Sequence, residues 1–150
     1  MKSTYFKTAM LMQQSFNLFL SIIDKELRVL GFNDISASQA IIVYNLGEKE
    51  LTVRELGKTC YSGTNVSYAL ESLVKNGYMM QQPHQQDKRY IFVKLTPKGM
   101  DLCHHLEHVL DEHEKSANFF IKKESVDQCY EILGQLRTFL SSKTLAHSEL

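Results

Sequence analysis

The sequence contains few of the residues that are typical of disordered or disulfide-linked chains. It contains 2 prolines and 7 glycines among 150 residues, so long disordered stretches are not expected. Its 3 cysteines, Cys60, Cys103 and Cys129, are odd in number and far apart, which does not indicate a disulfide framework. This usage predicts a reducing, cytoplasmic compartment. No apolar run approaches the length of a membrane span, and we predict no membrane partner.

Motifs of known catalytic sites are also missing. The sequence has no glycine-rich phosphate loop, no nucleophile elbow and no pair of catalytic carboxylates. Cys103 and His104 are adjacent on a predicted helix, so their side chains point in different directions. We therefore predict that the protein is not an enzyme and needs no cofactor.

Charge is balanced over the whole chain but distributed unevenly. The 17 basic and 17 acidic residues give a net charge of zero. Residues 49–99 hold 8 basic and 4 acidic side chains, a net charge of +4, whereas residues 100–150 hold 5 and 9, a net charge of −4. Because a local excess of cations attracts polyanions, the middle third is the predicted contact with phosphates.

Apolar periodicity and capping signals predict a mainly α chain with one small β-hairpin. Capping-box pairs, Ser36 with Gln39 and Thr52 with Glu55, start the second and third helices. Val66, Leu70, Leu73 and Val74 form the predicted buried stripe of the fourth helix, and Ile91, Val93 and Leu95 one face of a strand. The predicted helices cover residues 5–30, 36–47, 52–60, 64–76, 97–120 and 123–141, and the predicted strands Tyr78–Gln82 and Tyr90–Leu95.

This order of elements describes a winged helix-turn-helix. We place the winged-helix DNA-binding lobe at residues 36–99 of a single chain of 150 residues. The long helices in residues 1–31 and 100–150 exceed what that lobe needs. Their apolar faces require a partner, and a second copy of the chain is the simplest one.

The start of the fourth helix carries small polar side chains suited to a DNA groove. A helix entering the major groove presents its N-terminal side chains to base edges, and Asn can pair with adenine through two hydrogen bonds. Capping of the helix by Ser62 and Thr64 is the alternative explanation. The candidate base-reading residues are Ser62, Thr64, Asn65, Ser67 and Tyr68.

The predicted hairpin tip carries two cations. Lys88 and Arg89 suit phosphate contact or insertion into a narrow minor groove. Asp87 is predicted to organise the tip by holding an arginine through a charge-assisted hydrogen bond. A solvated charged turn is the alternative reading of this triplet.

The hairpin and the residues after it resemble the MarR family of bacterial transcriptional regulators. Asp87-Lys88-Arg89, five residues and Leu95-Thr96-Pro97-Lys98-Gly99 follow that family's D-x-R-x5-L-T-x-x-G pattern. The segment Thr52–Gly77 is similar to the family's third and fourth helices. The sequence "GTNVSYALESLVKNGYM" further resembles the branch that includes the L,D-transpeptidase regulators.

The resemblance implies a homodimer whose two lobes read a pseudo-palindrome in double-stranded DNA. It implies minor-groove contact by Arg89 and major-groove contact by the candidate base-reading residues. The chain departs from many members, which have arginine where it has Gly63 and Tyr68. Phosphate anchoring then falls to the hairpin tip and to other cations, and an AT-leaning site is expected. Those cations are Lys49, Arg54, Lys58 and Lys75.

The resemblance also implies a small apolar or phenolic effector bound among the first, second and fifth helices. An aromatic stripe at helical spacing is equally the mark of a core, which is the alternative reading. The candidate pocket residues are Phe16, Phe19, Leu20, Ile41, Tyr44 and Leu102.

Two other sensing chemistries and one other function class stay open. His104 and His108 are four residues apart, a spacing that suits two zinc ligands, although solvated histidines are the alternative. Cys60 lies near Lys58, where a thiolate is favoured, although a core cysteine is the alternative. A winged-helix module that binds protein rather than DNA remains the second function class, because the recognition helix has no cation in its first two turns.

Overall fold

The computed structural model describes residues 3–59, 65–83 and 90–146 of the chain. The fold is mainly helical with a small antiparallel sheet, which confirms the predicted fold class. Helices and strands follow the predicted order, with one extra strand ahead of the third helix. The elements are α1 (Thr4–Val29), α2 (Ala37–Leu46), β1 (Leu51–Thr52), α3 (Val53–Thr59), α4 (Val66–Lys75), β2 (Met79–Pro83), β3 (Ile91–Leu95), α5 (Pro97–Ala117) and α6 (Lys123–Ala146).

Capping boxes start α2 and α3 where the sequence predicts them. The Gln39 side chain accepts a hydrogen bond from the Ser36 N–H at 3.1 Å, and Ser36 Oγ accepts one from the Gln39 N–H. Glu55 Oε2 accepts from the Thr52 N–H at 2.8 Å, and Thr52 Oγ1 accepts from the Glu55 N–H at 3.2 Å. These bonds satisfy backbone donors that a helix start leaves unpaired, so each start is determined locally.

The sheet has the order β1-β3-β2 and is antiparallel throughout. In β1, Leu51 pairs with Val93 and Thr52 pairs with Phe92. The sequence pattern predicts two strands and does not indicate β1. A strand of two residues is too short to show alternation, and the same Thr52 carries the cap of the next helix.

The hairpin strands lie within one residue of their predicted bounds, since β2 runs from Met79 to Pro83 and β3 from Ile91 to Leu95. The predicted buried face is only partly right. Val93 is fully buried and Leu95 half-buried, whereas Ile91 is exposed. Ile91 lies opposite Pro83 at the far end of the hairpin from α5, so the helices cover it least.

A hydrophobic core joins the helices to the inner face of the sheet. Its fully buried side chains come from successive elements along the chain: Ile23, Leu27, Val43, Leu46, Leu56, Leu73, Tyr78, Met79, Val93 and Leu102. Complete burial of a leucine, isoleucine or valine side chain contributes about 1.5–3 kcal/mol, so this core is the main source of stability. Within α1 only Ile23 and Leu27 are buried.

The chain divides into two compact units, residues 1–109 and 110–150. The lobe predicted for residues 36–99 lies inside the first unit, and its limits stay a prediction. The helix predicted to end at Phe120 ends at Ala117, where the Phe120 N–H bonds the Ala117 carbonyl three residues back. The last helix, predicted to end at Ser141, continues to Ala146.

Most side chains of the second unit are exposed. Leu133, Gly134 and Leu136 are half-buried, whereas Phe119, Phe120 and Tyr130 are more than four-fifths exposed. This unit therefore presents a large apolar surface. Across the described ranges, no helix is both long and apolar enough to cross a membrane.

Candidate nucleic-acid interface

The recognition helix α4 starts two residues later than predicted. Its N-cap is Asn65, whose Oδ1 accepts a hydrogen bond from the Tyr68 N–H at 3.2 Å. Asn65 therefore has the capping role that was the alternative explanation for Ser62 and Thr64. Those two candidate residues lie outside the described part of the chain.

One face of α4 packs into the core and the other is open. Ala69, Leu70 and Leu73 are buried, and Val66 and Val74 are half-buried. Leu70 and Leu73 confirm the predicted stripe, whereas Ala69 was missed because alanine carries little hydrophobic signal. Burial of the two leucines fixes the rotation of α4 about its axis, and this rotation decides which side chains reach outward.

The outward face of α4 starts with two polar side chains. Ser67 is exposed, and Tyr68 is 71% exposed. Both hydroxyl groups can donate and accept hydrogen bonds, and the Tyr68 ring adds an apolar surface for contact with a thymine methyl group. Glu71 and Lys75 continue the same open side of the helix toward its end.

The cations of residues 49–99 differ in whether they are paired. Arg54 and Lys58 are exposed on α3, and the neighbouring Glu55 is bound to Thr52 by the capping box. Those hydrogen bonds lower the pKa of Glu55, so it is ionised at neutral pH. Lys98 differs from the others because its Nζ lies 2.6 Å from an Asp34 oxygen. Besides Lys98, the exposed cations among the described part of residues 49–99 are Lys49, Arg54, Lys58 and Lys75.

The hairpin tip carries the remaining candidates. Asp87, Lys88 and Arg89 lie outside the described residues, and so does Cys60. The strands that lead to the tip are described, and Pro83 pairs with Ile91 at their ends. Tyr90, next to the tip, is 55% exposed.

The Leu-Thr-Pro-Lys-Gly segment connects the hairpin to α5 by hydrogen bonds and close packing. Thr96 Oγ1 donates to the Gly77 carbonyl at 2.5 Å and accepts from the Gly99 N–H at 3.2 Å. The Thr96 N–H donates to the Tyr78 carbonyl at 3.1 Å. A Cβ on Gly99 would overlap that same carbonyl oxygen, so only glycine fits. The motif therefore holds the residues that follow α4 and precede β2 against the start of α5.

The candidate effector-pocket residues differ in burial, and two of them contact each other. The rings of Phe16 and Phe19 stack with their centroids 6.4 Å apart, and both are half-buried. Leu20 and Ile41 are also half-buried, and Tyr44 is exposed. Leu102 is fully buried, as a core residue is. A surface groove of about 460 Å³ follows α6 and is lined by residues of that helix alone.

Histidines and cysteines show no converging metal set in the described ranges. His104 and His108 are exposed on α5, and no group of three or more His, Cys, Asp or Glu side chains there could hold a metal ion. Cys103 is buried with its Sγ 3.5 Å from the Val43 carbonyl. Burial raises the pKa of this thiol and so disfavours the thiolate. Cys129 is exposed on α6.

Known proteins match this chain in sequence and in fold. ExpG of Rhizobium meliloti, a transcriptional activator of exopolysaccharide II synthesis, is 35% identical over 116 residues. The match covers 77% of this chain and 60% of ExpG, so the chain spans less than two thirds of this relative's length.

Two crystal structures of protein–DNA complexes share the fold. FabT of Streptococcus pneumoniae superposes with a TM-score of 0.73 at 23% identity, covering 92% of this chain and 98% of FabT. A MarR variant of E. coli bound to operator DNA superposes with a TM-score of 0.70 at 20% identity, covering 90% of this chain and 99% of MarR.

ExpG is a transcriptional activator rather than an enzyme, as the sequence predicts for this chain. The resemblance to the L,D-transpeptidase-regulator branch stays a prediction. The family model for the winged helix DNA-binding domain matches residues 35–99. Residues 35–99 therefore match a winged helix DNA-binding domain, and the chain shares the fold of FabT and of the MarR variant.

Proposed function

We propose that this protein is a transcriptional regulator that binds double-stranded DNA as a homodimer on a pseudo-palindromic site. One observation carries the proposal. The recognition helix buries Ala69, Leu70 and Leu73 against the core and leaves Ser67 and Tyr68 open. DNA is the partner of FabT and MarR in their crystal structures, and ExpG is a transcriptional activator, which supports this assignment.

Base reading and phosphate anchoring fall to different residues. Ser67 and Tyr68 are the described base-reading candidates, and Ser62 and Thr64 remain candidates from the sequence. Asn65 Oδ1 is engaged in the cap, so its contribution reduces to its side-chain N–H groups unless the cap opens. Arg54 and Lys58 on α3, with Lys88 and Arg89 at the hairpin tip, supply the phosphate contacts. Without a base-facing arginine we expect an AT-leaning site.

A second copy of the chain is the proposed cover for the apolar surfaces of both units. In the first unit, Tyr5, Leu11 and Leu18 of α1 are each more than half exposed. In the second, Phe119 and Phe120 are 88% and 90% exposed. Large exposed apolar patches mark interaction surfaces in soluble proteins, and a twofold dimer gives two DNA-reading lobes.

Release or modulation by a small apolar or phenolic ligand is part of the proposal. The Phe16 and Phe19 rings stack on each other and are half-buried. Part of each ring is therefore open to contact with a small apolar ligand. A thermal-shift screen of phenolic acids tests it, since a ligand that binds only the folded state raises its unfolding temperature. A ligand that also lowers duplex affinity is the expected result.

The absence of cations on residues 66–72 favours a second candidate function, a winged-helix module that binds protein. In vitro selection of bound duplexes from a random library decides between the two. We expect an enriched half-site repeated as an inverted pair, bound with an affinity that falls steeply with salt. No enrichment and no duplex binding at low salt would overturn the DNA-binding proposal.

A further inference from the structure

The connection between α1 and α2 reaches the end of the recognition helix through Asp34. The Asp34 carboxylate accepts a hydrogen bond from the Tyr78 hydroxyl at 2.5 Å and one from Lys98 Nζ at 2.6 Å. The Asp34 carbonyl accepts from Asn76 Nδ2 at 2.6 Å, and Lys98 Nζ also donates to the Asn76 carbonyl at 2.9 Å. We call these four residues the Asp34 clasp.

Each residue of the Asp34 clasp belongs to a different functional segment. Asn76 is the C-cap of α4. Tyr78 directly precedes β2 of the β2–β3 hairpin, which we call the wing. Lys98 lies in the first turn of α5. The clasp therefore holds the end of the recognition helix, the base of the wing and the start of α5 to one carboxylate.

Electrostatics keep the clasp closed at neutral pH. The hydrogen bonds from Lys98 and Tyr78 lower the pKa of Asp34, so its carboxylate stays ionised. Burial and the nearby Asp34 charge raise the pKa of Tyr78, so its hydroxyl keeps the proton that it donates. Lys98 Nζ also lies 4.1 Å from the centre of the Tyr78 ring.

The exposure of the ion pair argues for a positioning role over a stabilising one. Lys98 and Asp34 side chains are 42% and 47% exposed, and ion pairs in such surroundings contribute little to the free energy of unfolding. The geometry of the clasp is nevertheless specific. Each Asp34 carboxylate oxygen accepts one hydrogen bond, and Asn76 both donates through Nδ2 and accepts through its carbonyl oxygen.

We propose that Asp34 is a positioning residue for DNA recognition, which sets the placement of α4 and the wing relative to each other without touching DNA. The proposal rests on the proposed DNA-binding function. Displacement of a recognition element by about 1 Å is enough to break hydrogen bonds to base edges, whereas phosphate contacts tolerate it better. Loss of the clasp therefore lowers specific affinity more than non-specific affinity.

The Asp34→Asn variant separates positioning from simple charge. If Asp34 acted only through its charge, removal of an anion would strengthen binding to the DNA polyanion. As a positioning residue, its loss weakens binding to the selected duplex by about tenfold, the effect of one charged hydrogen bond. We expect binding to random-sequence duplex and the salt slope to stay nearly unchanged.

Two further variants complete the design. Glu48→Gln removes an exposed negative charge from the same unit and serves as the charge-matched control, with specific affinity unchanged or raised. Tyr78→Phe removes one donor to Asp34 without changing charge and is expected to shift the specific-to-random affinity ratio in the same direction as Asp34→Asn. Circular dichroism and thermal unfolding confirm that each variant is folded at the assay temperature. If Asp34→Asn does not fold, the Tyr78→Phe ratio decides.

The outcomes are distinct from failure of the proposed function. Absence of duplex binding by the unaltered protein would overturn the function itself and the positioning role with it. The positioning role alone would be overturned by a different result. In that result the unaltered protein prefers the selected duplex, and the folded variants keep or raise the specific-to-random affinity ratio. A lowered ratio in Asp34→Asn and Tyr78→Phe, with Glu48→Gln unaffected, supports it.

Discussion

Gly99 of α5 lies directly against the carbonyl oxygen of Tyr78, at a distance that leaves no room for a Cβ. The same carbonyl accepts the Thr96 N–H. Backbone packs against backbone here, so neither side can yield as a flexible side chain would. This contact is the physical reason for the glycine in the Leu-Thr-Pro-Lys-Gly segment, and it sets the start of α5 against the wing.

Substitution of Gly99 by alanine is therefore expected to destabilise the protein. Forcing a methyl group into a packed site costs about 1–3 kcal/mol, and urea unfolding followed by circular dichroism measures it. Gly57→Ala is the matched control, because nothing lies within 4 Å of a Cβ at that exposed helical position. That control is expected to be neutral or stabilising, since alanine favours a helix. Equal stability of the Gly99→Ala variant would contradict the packing argument.

Tyr68 is expected to contribute to DNA affinity without contributing to stability. Its side chain is 71% exposed on α4, so Tyr68→Ala leaves the unfolding temperature nearly unchanged. Loss of a base contact of about 1–3 kcal/mol lowers affinity for the selected duplex at least fivefold, measured by fluorescence anisotropy. Tyr68→Phe, which keeps the ring, separates the hydroxyl from the apolar contact. Unchanged affinity in Tyr68→Ala would remove Tyr68 from the interface.

Arg54 and Lys58 are expected to act as sequence-independent phosphate anchors. Replacement of either by alanine should weaken specific and random duplexes alike and reduce the magnitude of the salt slope by about 1. Affinity titrations at several salt concentrations measure this slope. Lys123→Ala, on the exposed first turn of α6, is the matched control and should leave the slope unaltered. A slope that stays the same in Arg54→Ala would place Arg54 away from the phosphates.

Acid is expected to weaken the start of α3. The pKa of Glu55 is lowered from its ordinary value of 4.5 by its hydrogen bonds to Thr52. Between the folded and the unfolded pKa, the unfolded chain therefore binds more protons than the folded one. Its contribution is complete above that value and is lost as the pH falls through the lower, folded pKa. Unfolding of Glu55→Gln should therefore depend less on pH between 6 and about 3 than that of the parent. Identical acid profiles would contradict the assignment.

Self-association is expected to depend on the exposed aromatic residues of the second unit. Phe120 is 90% exposed, so Phe120→Glu should not disturb the fold of one chain but should place a charge in the proposed dimer interface. Sedimentation equilibrium is expected to show a dimer for the parent and a shift toward monomer for the variant. Gln128→Glu, at an exposed polar position of the same unit, changes the charge by the same amount and is the matched control. A monomeric parent would refute the homodimer.

Local signals in the sequence were sufficient for the presence of the helices and for the starts of α2 and α3. The Ser36 and Thr52 capping boxes form as predicted because each cap bonds a group three residues away. The end of α1 is likewise local, since Gly31 adopts the left-handed backbone conformation with φ of 87°. Outward placement of Ser67 and Tyr68 followed from the buried positions of Leu70 and Leu73 on the same helix.

Long-range contacts could not be read from these signals. β1 is two residues long and exists only because β3 pairs with it. Asp34 looked like an ordinary loop residue, and its partners Tyr78 and Lys98 are 44 and 64 residues away. Lys98 entered the charge count as one more cation for phosphates, whereas the structure pairs it with Asp34.

The sequence alone indicated the helices, the capped starts of α2 and α3 and the hairpin, because each of these depends mainly on neighbours within one or two turns. The folded structure was needed to show that Thr52 also pairs in a sheet and that Asp34 holds three segments together. Such contacts depend on how distant elements pack, and burial of the core at Leu73, Tyr78 and Val93 brings them within hydrogen-bonding distance.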